Sequence, residues 1–167
     1  EQMLTAALLE VVEERPRKIY ALAGHGQPMP APEGEYSSLH NYLSRQNLVI
    51  EELNLGTADK VPDDADVLFI GGARDDLSER EISLLEQYWM RGGRPARILI
   101  NLAWGTSTPR LDGFLSGLGI RPNGDRILRT LDMGFGPGVL GLMRDVLGRA
   151  AENHPVTKRL KDTNLTF

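Results

Sequence analysis

The stretch Lys18-Ile19-Tyr20-Ala21-Leu22-Ala23-Gly24-His25-Gly26-Gln27 decides the fold. Ile19 to Ala23 is an unbroken apolar run, too short for an amphipathic helix, and it breaks abruptly into Gly-His-Gly. A buried strand leaving a sheet through a tight loop looks like this. In an open α/β sheet, the break at the carboxyl end of such a strand is where ligands bind.

The segments around this run support the same sheet. Ala65-Asp66-Val67-Leu68-Phe69-Ile70, entered through Pro62-Asp63-Asp64 and left through Gly71-Gly72, reads as a strand covered on both faces. Leu48 to Leu53 and Arg97 to Ala103 supply two further strands. Helical spacing predicts a helix over 35–46 with Leu39 and Leu43 on one side. Ser78 as N-cap, Glu81 as its reciprocal partner and Leu77 with Ile82 as a hydrophobic staple open the next helix, which Gly92-Gly93 should close. Thr108 as cap and Pro109 in the first turn start another, carrying Leu111, Phe114, Leu115 and Leu118. Before all of these, Leu4, Leu8 and Val11 or Val12 mark an amphipathic helix over 1–14, stopped by Pro16.

Strands alternating with helices through short loops favour parallel pairing and right-handed crossovers. The expected fold class is therefore α/β, a three-layer α/β/α sandwich of the flavodoxin-like kind with a mostly parallel sheet. We expect residues 1–167 to form a single domain. Past residue 120 the pattern thins to a glycine-rich loop at 134–138 and a helix over Val139–Ala151, with Leu140, Met143 and Leu147 in register. The closing segment is ambiguous, although it stops at Phe167 inside what looks like another strand. No repeat or low-complexity tract interrupts the chain.

Composition narrows the function classes. With 41% apolar residues in 167, the chain can fill one core. A net charge of −4 without a basic block argues against nucleic acid as a partner, since phosphate neutralisation needs a basic face. The absence of cysteine removes disulfides, thiolate metal sites and a cysteine nucleophile together, and fits either redox compartment. No run reaches the ~18 apolar residues of a membrane span. The chain starts at Glu1 rather than at methionine and reads as a piece of a longer protein.

The candidate ligand-binding residues are those the strand order sends to the sheet's carboxyl edge: Gly24, His25, Gly26, Gln27, Gly71, Gly72, Asn101 and Trp104. His25 between two glycines can face a ligand in the crevice. The same glycines equally suit a tight turn in which His25 bonds the neighbouring loop, and one histidine does not choose between the two. Gly24 and Gly26 lack the third glycine of a dinucleotide fingerprint, because position 29 is methionine, and Gly71-Gly72-Ala73 lacks the Lys-Ser/Thr of a phosphate-binding loop. No cofactor is expected. His25, His40 and His154 share no metal-ligand spacing, so no metal is expected either. Asp63, Asp64 and Asp66 precede a strand, at the wrong end of the sheet for the crevice, and read as a solvated turn.

Class I amidotransferases of this architecture carry their nucleophile on a strand-to-helix elbow. The corresponding stretch here is Asn101-Leu-Ala-Trp104-Gly105-Thr106-Ser107, where Ser107 lacks the Gly-x-Ser-x-Gly frame and no His/acid pair can be assigned. Asn101 and Trp104 remain as pocket-lining or packing residues.

Four blocks in order, Ile19–Gln27, Val61–Gly71 with Leu77-Ser78-Glu79 after it, Tyr88 ahead of Gly92-Gly93-Arg94, and His154-Pro155-Val156-Thr157, resemble the auxiliary, substrate-binding-like component of gliding-motility-type ABC transporters. The likeness extends from residue 4 to the C-terminus. It implies a non-enzymatic, extracytoplasmic domain of a membrane-anchored protein, its membrane segments outside this sequence, with an ABC permease and ATPase as partners. It also implies an amidotransferase-like sandwich without the catalytic cysteine. The chain departs from the family at Gln27, where Gly-His-Gly-Glu is usual, and at 134–138, which has no counterpart. Beside this binding or interaction domain stand two alternatives: an amidotransferase-like hydrolase of a small substrate, and a purely structural scaffold.

Overall fold

Strand β1 (Arg17–Leu22) lies between β2 (Leu48–Leu53) and β3 (Ala65–Gly71), and β4 (Ile98–Asn101) completes a four-stranded sheet in the order β2-β1-β3-β4. All three pairings are parallel. The computed structural model describes residues 15–93, 95–123, 125, 129–132, 140–143, 147–149 and 164–166. The helix expected over 1–14, the loop at 134–138 and the block at 154–157 lie outside the described residues.

Three helices follow the strands in the described chain: α1 (Ser37–Ser44), α2 (Glu79–Trp89) and α3 (Pro109–Gly117). Alternation along each strand sorts the core into two layers. Tyr20, Leu22, Leu68 and Ile70 face one way and meet Leu84, Leu85 and Tyr88 of α2 and Leu111, Phe114 and Leu115 of α3. Ile19, Ala21 and Phe69 face the other way, against Leu39 and Leu43 of α1. This is the expected α/β sandwich, with its sheet wholly parallel.

Strand β4 is shorter than the run from Arg97 to Ala103 suggests because its partner ends first: Gly71 pairs with Asn101, and nothing of β3 remains beyond it. The acidic turn expected to be solvated is so only in part. Asp63 is solvated, paired with Lys60 on the surface, and Asp64 keeps part of its side chain in solvent, but Asp66 is buried. Asp64 accepts from the Tyr20 hydroxyl at 3.1 Å and pairs with Lys18 at 2.9 Å. Where the β1–β3 register shifts, the Lys18 N–H donates to the buried Asp66 carboxylate at 2.9 Å. A side chain thus supplies the acceptor that the ladder misses. The Lys18 ammonium also holds Glu51, at 2.8 Å, and these contacts lower both the Glu51 and Asp64 carboxyls. Burial, with the bond to Asp64, pushes the Tyr20 phenol up to about 12.

The capping box of α2 forms as expected: the Glu81 N–H donates to Ser78 Oγ at 3.3 Å, and Glu81 Oε2 accepts from the Ser78 N–H at 2.8 Å. The start of α3 differs. Thr108 makes no side-chain cap. Asp76, in the loop after β3, takes the N–H groups of Arg110 and Leu111 at 3.0 and 3.3 Å instead. A carboxylate at a helix N-terminus is favoured by the free N–H groups and the dipole. Asp76→Ala should therefore lower stability by ~1–2 kcal/mol, while Thr108→Ser, read by the same urea melts, leaves the cap intact. Equal losses in the two variants would refute capping by Asp76.

Contacts divide the chain into two compact units, Glu1–Asn123 and Gly124–Phe167. In the second, β5 (Arg129–Asp132) pairs antiparallel with β6 (Leu140–Met143), and β7 (Leu147–Arg149) with β8 (Asn164–Thr166). The helix expected over 139–151 is thus replaced by β6 and β7. A glycine in a helix interior costs ~1 kcal/mol, and Gly141 and Gly148 would both sit there. Partner strands outside the segment decided what its spacing left open.

Candidate functional site

In this strand order the chain leaves β1 toward β2 on one side and later fills β3 and β4 on the other. The crevice belongs between the carboxyl ends of β1 and β3. The loop after β1 enters that space with its residues alternating: Gly24 and Gly26 are exposed, His25 and Gln27 buried. Gly24 and Gly26 have φ of 99° and 68°, the left-handed region that glycine adopts without strain.

His25 Nε2 lies 2.9 Å from Glu81 Oε1, with both side chains almost fully buried. The other Glu81 oxygen accepts from the Ser78 N–H and hydroxyl, each at 2.8 Å. Burial by itself raises the Glu81 carboxyl. The hydrogen bonds from Ser78 and the neighbouring His25 outweigh it and hold the group below its ordinary value. An ionised carboxylate only accepts, so His25 Nε2 carries a proton and donates it. The α2 cap and the β1 loop are thereby joined through one carboxylate.

Gln27 turns back on its own loop. Its Oε1 accepts from the His25 N–H at 2.9 Å and its Nε2 donates to the Leu22 carbonyl. The N–H groups of Arg74 and Asp75, from the loop after β3, both reach the His25 carbonyl, at 2.8 and 3.1 Å. The β1 and β3 loops are thus bonded directly to each other across the switch point. His25 and Gln27 fill it from inside.

The remaining candidates form a second group. Gly71 packs beneath Phe69 and Tyr36, whose rings meet edge-on with centroids 6.0 Å apart. The Gly72 N–H donates to the Asn101 carbonyl at 2.8 Å, and Asn101 Nδ2 to the Tyr36 hydroxyl at 3.1 Å. Asn101 is exposed, and so is Trp104 in the loop that follows. The structure therefore brings Gly24–Gln27 together with Glu81, and Gly71, Gly72 and Asn101 together with Tyr36.

Two of these partners escaped sequence reasoning. Glu81 was visible as a cap, through Ser-x-x-Glu spacing, but not as the partner of a histidine 56 residues away. Tyr36 carried no signal at all. Chemically, His25 and the Ser78 hydroxyl both bond the same carboxylate, which places the acid between them. A nucleophilic triad needs the histidine in the middle. Among the described residues, no group of three or more His, Asp or Glu side chains is placed to hold a metal.

Compared with known proteins, residues 16–167 match the family model described as ABC-type uncharacterized transport system. No curated protein and no solved structure matches the chain.

Proposed function

The chain belongs to the ABC-type uncharacterized transport system family, and from that premise we propose that its parallel α/β unit is a non-catalytic interaction domain of the transporter's auxiliary protein. In this reading it sits on the extracytoplasmic side, anchored by segments outside this sequence, and works with the ABC permease and ATPase of a gliding-motility-type system. The observation that carries the reading is the filled switch point. His25 is committed to Glu81, Gln27 to Leu22 and the His25 N–H, and the β1 and β3 loops to each other. Polar groups satisfied inside the fold have nothing left to exchange with a small polar ligand, whose binding relies on a few converging polar groups. Asn101 and Trp104 carry exposed side chains that suit contact with a protein partner.

The test is co-expression of the full-length protein with the permease and a tagged ATPase, followed by purification in mild detergent. The expected result is a complex of all three, with the domain cleaved by protease added outside intact spheroplasts. Failure of the unmodified protein to accompany the ATPase, or protection from that protease, would end the reading. A small molecule that raises the melting temperature, but not in His25→Ala, would replace it with ligand binding in the crevice.

A further inference from the structure

The two edges of the sheet differ in chemistry. Strand β2 carries Glu51 and Glu52, and charges on an edge discourage another strand from adding. Strand β4, Ile-Leu-Ile-Asn, carries no charge and no proline, and its register with β3 runs unbroken from Leu68↔Ile98 to Gly71↔Asn101. The Leu68 N–H donates to the Arg97 carbonyl and the Gly72 N–H to the Asn101 carbonyl. In a parallel ladder alternate residues face each neighbour, so 97, 99 and 101 serve β3. The N–H and C=O groups of Ile98 and Ile100 point outward, where no strand pairs with them among the described residues.

Side chains along this edge are unusually exposed for their type. Leu99 is 58% exposed, and just past the strand Leu102 is 41% and Trp104 64% exposed. Arg97 is exposed at the other end, and its guanidinium makes no ion pair among the described residues.

We propose that β4 is a docking edge that takes an extended segment of a partner protein as a fifth strand. That segment carries apolar side chains at alternate positions, one of them against Leu99, and an acidic residue at the end beside Arg97. Main-chain hydrogen bonds to Ile98 and Ile100 supply affinity, and side chains supply selectivity. A second copy of this chain fits less well. It would bring another arginine to the edge and no acid, and the three exposed apolar side chains fall well short of the roughly 800 Å² per partner of a standard stable interface. The inference rests on the interaction-domain reading and names its surface.

The test uses the full chain, 15N-labelled, with an eight-residue peptide alternating valine and threonine and ending in aspartate. The peptide should shift the Ile98 and Ile100 amide resonances and slow their hydrogen exchange. The Leu99 and Asn101 amides, already bonded to β3, should keep their protection. Leu99→Lys should weaken binding at least tenfold at unchanged melting temperature, and Arg97→Glu should move the preference to a lysine-ended peptide. Unchanged Ile98 and Ile100 amides at millimolar peptide would overturn the proposal, as would equal binding by Leu99→Lys. A dimer in sedimentation that Leu99→Lys makes monomeric would overturn it in favour of self-pairing. If the edge is silent while the permease and ATPase still co-purify, the edge falls and the interaction domain stands. If the peptide docks but nothing co-purifies, the reverse holds.

Discussion

Glu81→Ala is expected to lower the unfolding free energy by about 2–4 kcal/mol, since it strands a buried hydrogen-bond donor and removes half of the α2 capping box together. The carboxylate accepts from the Ser78 N–H, the Ser78 hydroxyl and His25 Nε2, and only 5% of the residue is exposed. Its loss strands a buried imidazole N–H and reopens the first turn of α2. Ser78→Ala keeps the His25 contact and should cost only ~1 kcal/mol. His25→Ala should fall between the two and, combined with Glu81→Ala, add little further, as expected for residues sharing one contact.

The effect also depends on pH. The folded Glu81 carboxyl is held below its ordinary value of 4.5, so the folded state binds its proton less readily than the unfolded state does. Its stabilisation is fully present above that value and is lost as pH falls through the folded one. Urea melts of wild type and Glu81→Ala from pH 7 to pH 3 should show a gap that narrows below pH 4.5. A gap of the same size throughout would mean that the ionised carboxylate is not the stabilising form, and one under ~1 kcal/mol at pH 7 that Glu81 contributes no more than a cap.

The second large effect concerns a glycine that no turn requires. A Cβ on Gly71 would lie 2.6 Å from Phe69 Cε1 and 2.8 Å from Cζ, inside van der Waals contact. Phe69 is buried in the α1-side core and meets the Tyr36 ring edge-on, so it has little room to retreat. Gly71→Ala should cost about 2 kcal/mol and Gly71→Val about 3, the range for overpacking. Because the Tyr36 hydroxyl accepts from Asn101, the displaced rings should also perturb the Asn101 side-chain amide resonance. Gly113 is the opposite case. It sits in α3, and an added methyl there would meet nothing within 4 Å, so Gly113→Ala should stabilise by ~0.5–1 kcal/mol. Equal and small effects at both positions would refute the close approach at Gly71.

The sheet was legible because its signals are local. Apolar runs ending in glycine mark β1 and β3, and the Ser78-x-x-Glu81 spacing opens α2 within one turn. The candidate site was legible only as an address. Gly24–Gln27, Gly71, Gly72 and Asn101 do come to the carboxyl ends of the strands, but nothing in their spacing says that His25 points inward to Glu81.

By itself, then, the amino-acid sequence determined which segments become β1 to β4, their parallel arrangement and the cap of α2. Each rests on residues a few positions apart, where periodicity, turn conformation and N-capping act. Only the tertiary structure decided that Glu81 holds His25, that Asp76 rather than Thr108 caps α3, and that Asp64 and Asp66 brace β1. It alone turned 140–143 into a strand and left β4 on the outside of the sheet. These are pairings between groups 34 to 56 residues apart or on separate strands, and which buried polar group finds which partner is set when the layers close and water leaves.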